Sequence, residues 1–147
     1  NCLGLNLINY KLRARNAPTK EEIIGFLDVV KSVEKPLLLH CKSGADRAGL
    51  ASTLYLMEIE GASVEAAMKQ LSFRHIHLDF TETGVIDYFF RAYEFRIKEE
   101  KIAFLDWLTS EYDATVLQSA FDKRLSLKEA LEQMRSAKLQ NKHQIER

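Results

Sequence analysis

The sequence predicts an α/β fold: a βαβ unit with a parallel sheet, followed by a mostly helical C-terminal half. Three observations carry this expectation. The run Pro36-Leu37-Leu38-Leu39-His40-Cys41 is short, apolar and preceded by polar residues, the pattern of a buried strand. Leu3 to Leu12 alternates loosely, with Leu5, Leu7 and Tyr10 apolar and Asn6 and Asn9 polar, and reads as an earlier strand. Between them Pro18-Thr19-x-x-Glu22 opens a helix with a capping box, and Ile23, Phe26, Leu27 and Val30 supply its core stripe. Strand, helix, strand is expected to be right-handed with parallel strands.

The later elements follow from helical spacing. Leu50, Leu54 and Met57 define a helix after Arg47, with Gly61 as its stop. Residues 63–72 form a short helix, 73–83 are irregular, and a long amphipathic helix runs from Gly84 through about Lys101. Phe104, Leu105, Trp107 and Leu108 then make an apolar face, with Trp107 in the core, and Tyr112-Asp113 marks a bend. Leu117, Ala120, Phe121 and Leu125 repeat the stripe. Ser126-Leu127-Lys128-Glu129 is a second capping box, starting a helix with Leu127, Leu131 and Met134 on one face. The polar stretch Lys138–Arg147 is expected to fray.

Composition narrows the function classes. A chain of 147 residues, 46% hydrophobic, suits a domain with a real core. Zero formal net charge gives no global sign of nucleic-acid or membrane binding, so no nucleic-acid partner is expected. Residues 11–20 are locally basic, with Lys11, Arg13, Arg15 and Lys20 and no acidic residue. Two cysteines, Cys2 and Cys41, make no disulfide framework; Cys2 reads as packing, and thiol chemistry implies a reducing, cytoplasmic compartment. No signal peptide and no apolar run of membrane-spanning length is evident. A first residue other than Met leads us to expect a processed chain or a fragment.

The chemistry concentrates in His40-Cys41-Lys42-Ser43-Gly44-Ala45-Asp46-Arg47-Ala48-Gly49, which joins the second strand to the helix after it. On such a turn, successive backbone N–H groups and the positive helix end favour an anion. They also favour a thiolate, whose pKa falls from about 8.5 to roughly 3.5–7.5 at helix N-termini and near cations. Cys41 is therefore the candidate nucleophile, and Arg47 the planar fork that grips two phosphoryl oxygens. A buried structural cysteine beside a surface arginine is the alternative.

These residues resemble the signature loop of the cysteine-dependent phosphatases, the tyrosine and dual-specificity family, with the motif His-Cys-x5-Arg. In that resemblance Lys42, Ser43, Gly44, Ala45, Asp46 and Arg47 form the phosphate-binding loop, and His40 supports it by hydrogen-bonding its backbone. The form Gly-x-Asp-Arg looks most like bacterial dual-specificity-type enzymes, and phosphoinositide phosphatases such as the myotubularins share its aspartate. The resemblance implies a dual-specificity phosphatase-like parallel sheet core of four or five strands. Since two strands are legible, strands N-terminal to the chain are expected to be missing. Residues 1–100 are then an N-terminally incomplete phosphatase-like catalytic core, and 101–147 a helical C-terminal extension packed on it.

Two departures bear on mechanism. Ala48 stands where the family usually has a serine or threonine whose hydroxyl helps the cysteine sulfur leave, so a phosphocysteine is expected to break down slowly. The upstream stretch 9–18, where the family commonly carries its general acid, has no carboxylate. Asp46 is the leading acid, with a structural role in the loop as its alternative. Glu21 and Glu22 lie in a first helical turn and suit helix-end stabilisation. Asp79, Glu82 and Asp87 form a third set, and Arg74, His75, His77, Thr81 and Thr83 are polar groups on a segment the resemblance sets against the loop.

The expected function is a phosphomonoester hydrolase acting through a phosphocysteine, with no metal and no cofactor. Its substrate is a phosphorylated protein or, as an alternative, an anionic phospholipid or inositol phosphate headgroup. A phosphate-binding pseudophosphatase is the alternative of another class.

Overall fold

The structure, a computed structural model, describes residues 4, 6–42, 46–72 and 84–145. Seven helices carry the described residues: α1 (Lys20–Ser32), α2 (Asp46–Glu58), α3 (Val64–Ser72), α4 (Gly84–Glu99), α5 (Phe104–Ser110), α6 (Ala114–Asp122) and α7 (Leu127–Ile145).

The expected parallel sheet is absent from the described residues: no strand forms there, and the α/β expectation is corrected to an all-helical architecture. Apolar alternation reports which side chains are buried, not whether the backbone has a neighbour to pair with. In 37–39 the outer two leucines lie half-buried against the core while Leu38 is 82% exposed. The earlier segment does not repeat this: Leu12 lies against the core, but the adjacent Leu7 and Ile8 are both in solvent. Neither segment forms a ladder, because helices rather than strands pack beside them.

The helices form for the reasons their sequence supplies. In α1, Thr19 Oγ1 accepts from Glu22 N and Glu22 Oε2 accepts from Thr19 N, completing the capping box. Its buried residues are Ile23, Phe26, Leu27 and Val30. Gly61, at φ +69°, ends the α2 turn in the left-handed region, where Ala62 N donates to Leu56 O at 2.9 Å. Asp113 accepts from Thr115 N and Val116 N, so the 112–113 bend is also the cap of α6. Ser126 and Glu129 exchange reciprocal bonds at the start of α7. That helix does not stop at Lys138: it runs through Ile145, as its run of Lys, Gln, Leu and Ala favours.

Helix α2 packs against α1 and α3, α3 against α4, and α4 against α6 and α7. One cluster of buried side chains runs from Ala17 to Met134. At its C-terminal end Trp107 is fully buried among Phe89, Tyr93, Phe104 and Tyr112, with ring centroids 5.2–6.2 Å from its own. Arg96, also buried, donates from Nε and Nη2 to the two Glu111 oxygens at 2.7 and 2.8 Å, and from Nη1 to Glu100 O. This fork ties the end of α4 to the end of α5.

Candidate active site

Helix α2 begins at Asp46, so Asp46 and Arg47 occupy its first turn directly after the Cys41 loop. Cys41 is half-buried at the end of the 37–41 segment. His40, Lys42 and Arg47 are exposed, and Asp46 and Ala48 are half-buried. Ser43, Gly44 and Ala45 lie outside the described residues, as do Cys2, Arg74, His75, His77, Asp79, Thr81, Glu82 and Thr83. The first turn of a helix directs unpaired N–H groups at whatever precedes it, which suits an anion and accommodates the Asp46 carboxylate.

The position of this turn is set by close packing. Leu50, Leu54 and Met57 are buried, as the spacing predicts. Gly49 lies against the last turn of α3: a Cβ there would sit 3.0 Å from Leu71 Cδ2 and 3.6 Å from Gln70 O. One turn on, buried Thr53 donates through Oγ1 to Gly49 O at 2.8 Å, with Ala67 O also 3.3 Å away. A glycine inside a helix costs about 1 kcal/mol relative to alanine. Here it permits the approach that fixes the loop's helix on α3.

Among the other acids, Glu22 is committed to structure. Its Oε2 completes the α1 cap, and its Oε1 accepts from Arg13 Nε at 2.8 Å. Glu21 is exposed beside Lys20, and Asp87 lies 3.5 Å from Arg91 on α4. Neither is placed at the loop by these contacts. Among the described residues no group of three or more His, Cys, Asp or Glu is arranged to hold a metal, and no helix is long and apolar enough to cross a membrane.

The basic segment is strapped to the fold at both ends. Tyr10 donates to Glu22 O at 3.0 Å and its ring tilts on Phe26 at 6.0 Å. Burial, with Glu22 and Asp28 nearby, raises the Tyr10 hydroxyl above its ordinary pKa. A Cβ on Gly25 would meet that hydroxyl at 2.4 Å, so the ring sits where it does because residue 25 has none. At the other end Gln118 Oε1 accepts from Ala17 N at 2.7 Å, and Tyr112 donates to Pro18 O at 2.6 Å. Sequence reading did not single out Tyr10, Tyr112 or Gln118 for this role. The last two act on residues about a hundred positions earlier, and no local pattern signals such a contact. A separate shallow groove between α6 and α7, lined by Val116, Glu129, Glu132, Gln133 and Ser136, belongs to other elements than those carrying Cys41 and Arg47.

Comparison with known proteins gives one family match. The family described as DSP-PTPase phosphatase fused to NAD+ kinase matches residues 2–83, more than half of the chain, and the match stops where α4 begins. No curated protein and no solved structure matches.

Proposed function

Since this chain belongs to the family of DSP-PTPase phosphatases fused to NAD+ kinase, we propose that it hydrolyses phosphomonoesters through a phosphocysteine on Cys41. The dual-specificity phosphatase-like domain is the part that the family match establishes. The observation that carries the finer reading is the Cys41–Arg47 loop entering the first turn of α2 inside the matched region. In this reading the loop is the HCxxGxDRxG signature of a bacterial dual-specificity-like enzyme, and a thiolate nucleophile suits a reducing, cytoplasmic compartment.

The Cys41 thiolate attacks phosphorus, forming an S–P bond as the ester P–O bond breaks. Arg47 and the loop amides hold the non-bridging oxygens in line, and His40 supports the loop. The leaving oxygen takes its proton from Asp46. Water then attacks the phosphocysteine, its proton returning to Asp46, and inorganic phosphate and thiolate are released. Ala48 offers no hydroxyl to the departing sulfur, which makes this second step the slow one.

The test is phosphate release from p-nitrophenyl phosphate by the wild type, Cys41→Ser and Asp46→Asn. Turnover is lost in Cys41→Ser. Asp46→Asn loses more on a phenyl phosphate with a poor leaving group than on p-nitrophenyl phosphate, because only the former needs a strong acid. Binding of phosphate without any turnover sinks this reading in favour of a phosphate-binding pseudophosphatase.

The family's description names NAD+ kinase as the fusion partner. A kinase acting on NAD+ yields a dinucleotide that is itself a phosphomonoester, which adds one substrate class to phosphotyrosine, phosphothreonine and inositol phosphate headgroups. Release of phosphate from NADP+, set beside phosphopeptides and inositol phosphates, ranks these substrates.

A further inference from the structure

Among the described residues, Thr53 and Arg96 are the non-aromatic polar side chains that are buried. Arg96 is accounted for by its fork on Glu111. Thr53 has no charge to satisfy. Its Oγ1 donates to Gly49 O at 2.8 Å, and Ala67 O of α3 stands 3.3 Å away. Both carbonyls lie inside helices, where a carbonyl already accepts from the N–H four residues on. Neither needs the hydroxyl to be satisfied, so its effect is geometric. A threonine that bonds back to the carbonyl four residues earlier competes with the helix bond there and favours a bend. That carbonyl belongs to the fourth residue of α2, in the turn that carries Asp46 and Arg47. Gly49 is also the residue seated on Gln70 and Leu71 of α3. Thr53 therefore bonds directly to the turn that follows the Cys41 loop.

We propose that Thr53 is a positioning residue for the anion: its hydroxyl sets the aim of the first turn of α2, and with it the unpaired N–H groups and the Arg47 fork. The proposal rests on the phosphatase reading above and deepens it. Thr53 acts through Gly49 O rather than on the substrate.

Three variants separate the hydroxyl from the packing. Thr53→Ser keeps the hydroxyl and drops the methyl, Thr53→Val keeps the shape and drops the hydroxyl, and Thr53→Ala drops both. Each full chain is titrated calorimetrically with inorganic phosphate. The pH midpoint of Cys41 alkylation by iodoacetamide is followed in parallel, with mass spectrometry separating Cys41 from Cys2. A helix N-terminus lowers a thiol's pKa, so this midpoint reports the same turn without any turnover. Thr53→Ser matches the wild type in both measurements. Thr53→Val and Thr53→Ala bind phosphate about 3-fold more weakly, within the worth of one neutral hydrogen bond. Their alkylation midpoint rises by about 0.5 pH unit, the same factor in thiolate. If Thr53→Val fails to fold, Ser against Ala still isolates the hydroxyl, since both are smaller than threonine. Grouping by volume, with Val at the wild-type value and Ser beside Ala, overturns the proposal, as does no change in any variant. A hydroxyl-dependent shift without p-nitrophenyl phosphate turnover removes the catalytic reading alone; turnover without that shift removes this one alone.

Discussion

Trp107 and the four aromatic side chains around it, from α4, α5 and the bend after α5, enclose one another, and every ring is buried. In the segments on either side of α1 the balance is reversed. Leu7 and Leu38 are 67% and 82% exposed, and the residues with chemical potential, His40, Lys42 and Arg47, stand at the surface. One region is built to exclude water, the other to meet a solvated anion. Stability and solvent-facing chemistry are thus weighted to different parts of the chain, which meet through α2, α3 and α4 and through the hydrogen bond from Tyr112 to Pro18 O. A change in one region that spares this hydrogen bond should leave the other's signature intact.

The largest test of that separation is Trp107→Ala. Deleting this buried ring is expected to cost about 4 kcal/mol, read as a lowered midpoint in urea unfolding. Activity per folded molecule stays at the wild-type value below the transition; a fall in kcat under those conditions would join the two regions. Ala48→Ser probes the opposite side. A hydroxyl bonding the departing thiolate is expected to speed phosphocysteine breakdown about 10-fold, visible as a lost burst in rapid-quench assays with no shift in melting temperature. An unchanged burst would separate Ala48 from the slow step.

The smallest effect concerns the junction. Glu58, half-buried at the end of α2, has its carboxyl held above the usual range by burial, partly opposed by Lys31, and it lies near enough to Tyr93 of α4 to raise that hydroxyl. The folded chain therefore holds the Glu58 proton more tightly than the unfolded chain. Its contribution to stability is full below the ordinary carboxylate pKa and declines as pH rises through the raised one. Glu58→Gln removes this dependence, so its melting temperature gains on the wild type between pH 4 and pH 7. A difference constant across that range would contradict the assignment.

Much of the helical structure was legible because its signals are local. The Thr19–Glu22 and Ser126–Glu129 boxes, the stripe Ile23, Phe26, Leu27 and Val30, and the stop at Gly61 each depend on residues within a few positions. The core place of Trp107 could likewise be read from its apolar neighbours. The strands were misread because alternation at Leu37–Leu39 encodes one buried side, while a sheet also needs a partner that periodicity cannot name. Of the candidate site, the order Cys41, Asp46, Arg47 and the helix that follows could be read from the sequence. The packing of Gly49 on Leu71 and the hold of Gln118 on residue 17 could not, since both join residues far apart in the chain.

That last hold has a consequence for synthesis. Ala17 and Pro18 are made 101 and 94 residues before the side chains that receive them. At ribosomal rates of about 5–20 residues per second, the wait is roughly 5–20 s. During it the segment before α1 has Tyr10 and α1 to lean on and nothing to close its far end. This basic segment is completed only when the helices around residues 112 and 118 emerge, so a stalled chain that displays the Cys41 loop would still lack its far clamp.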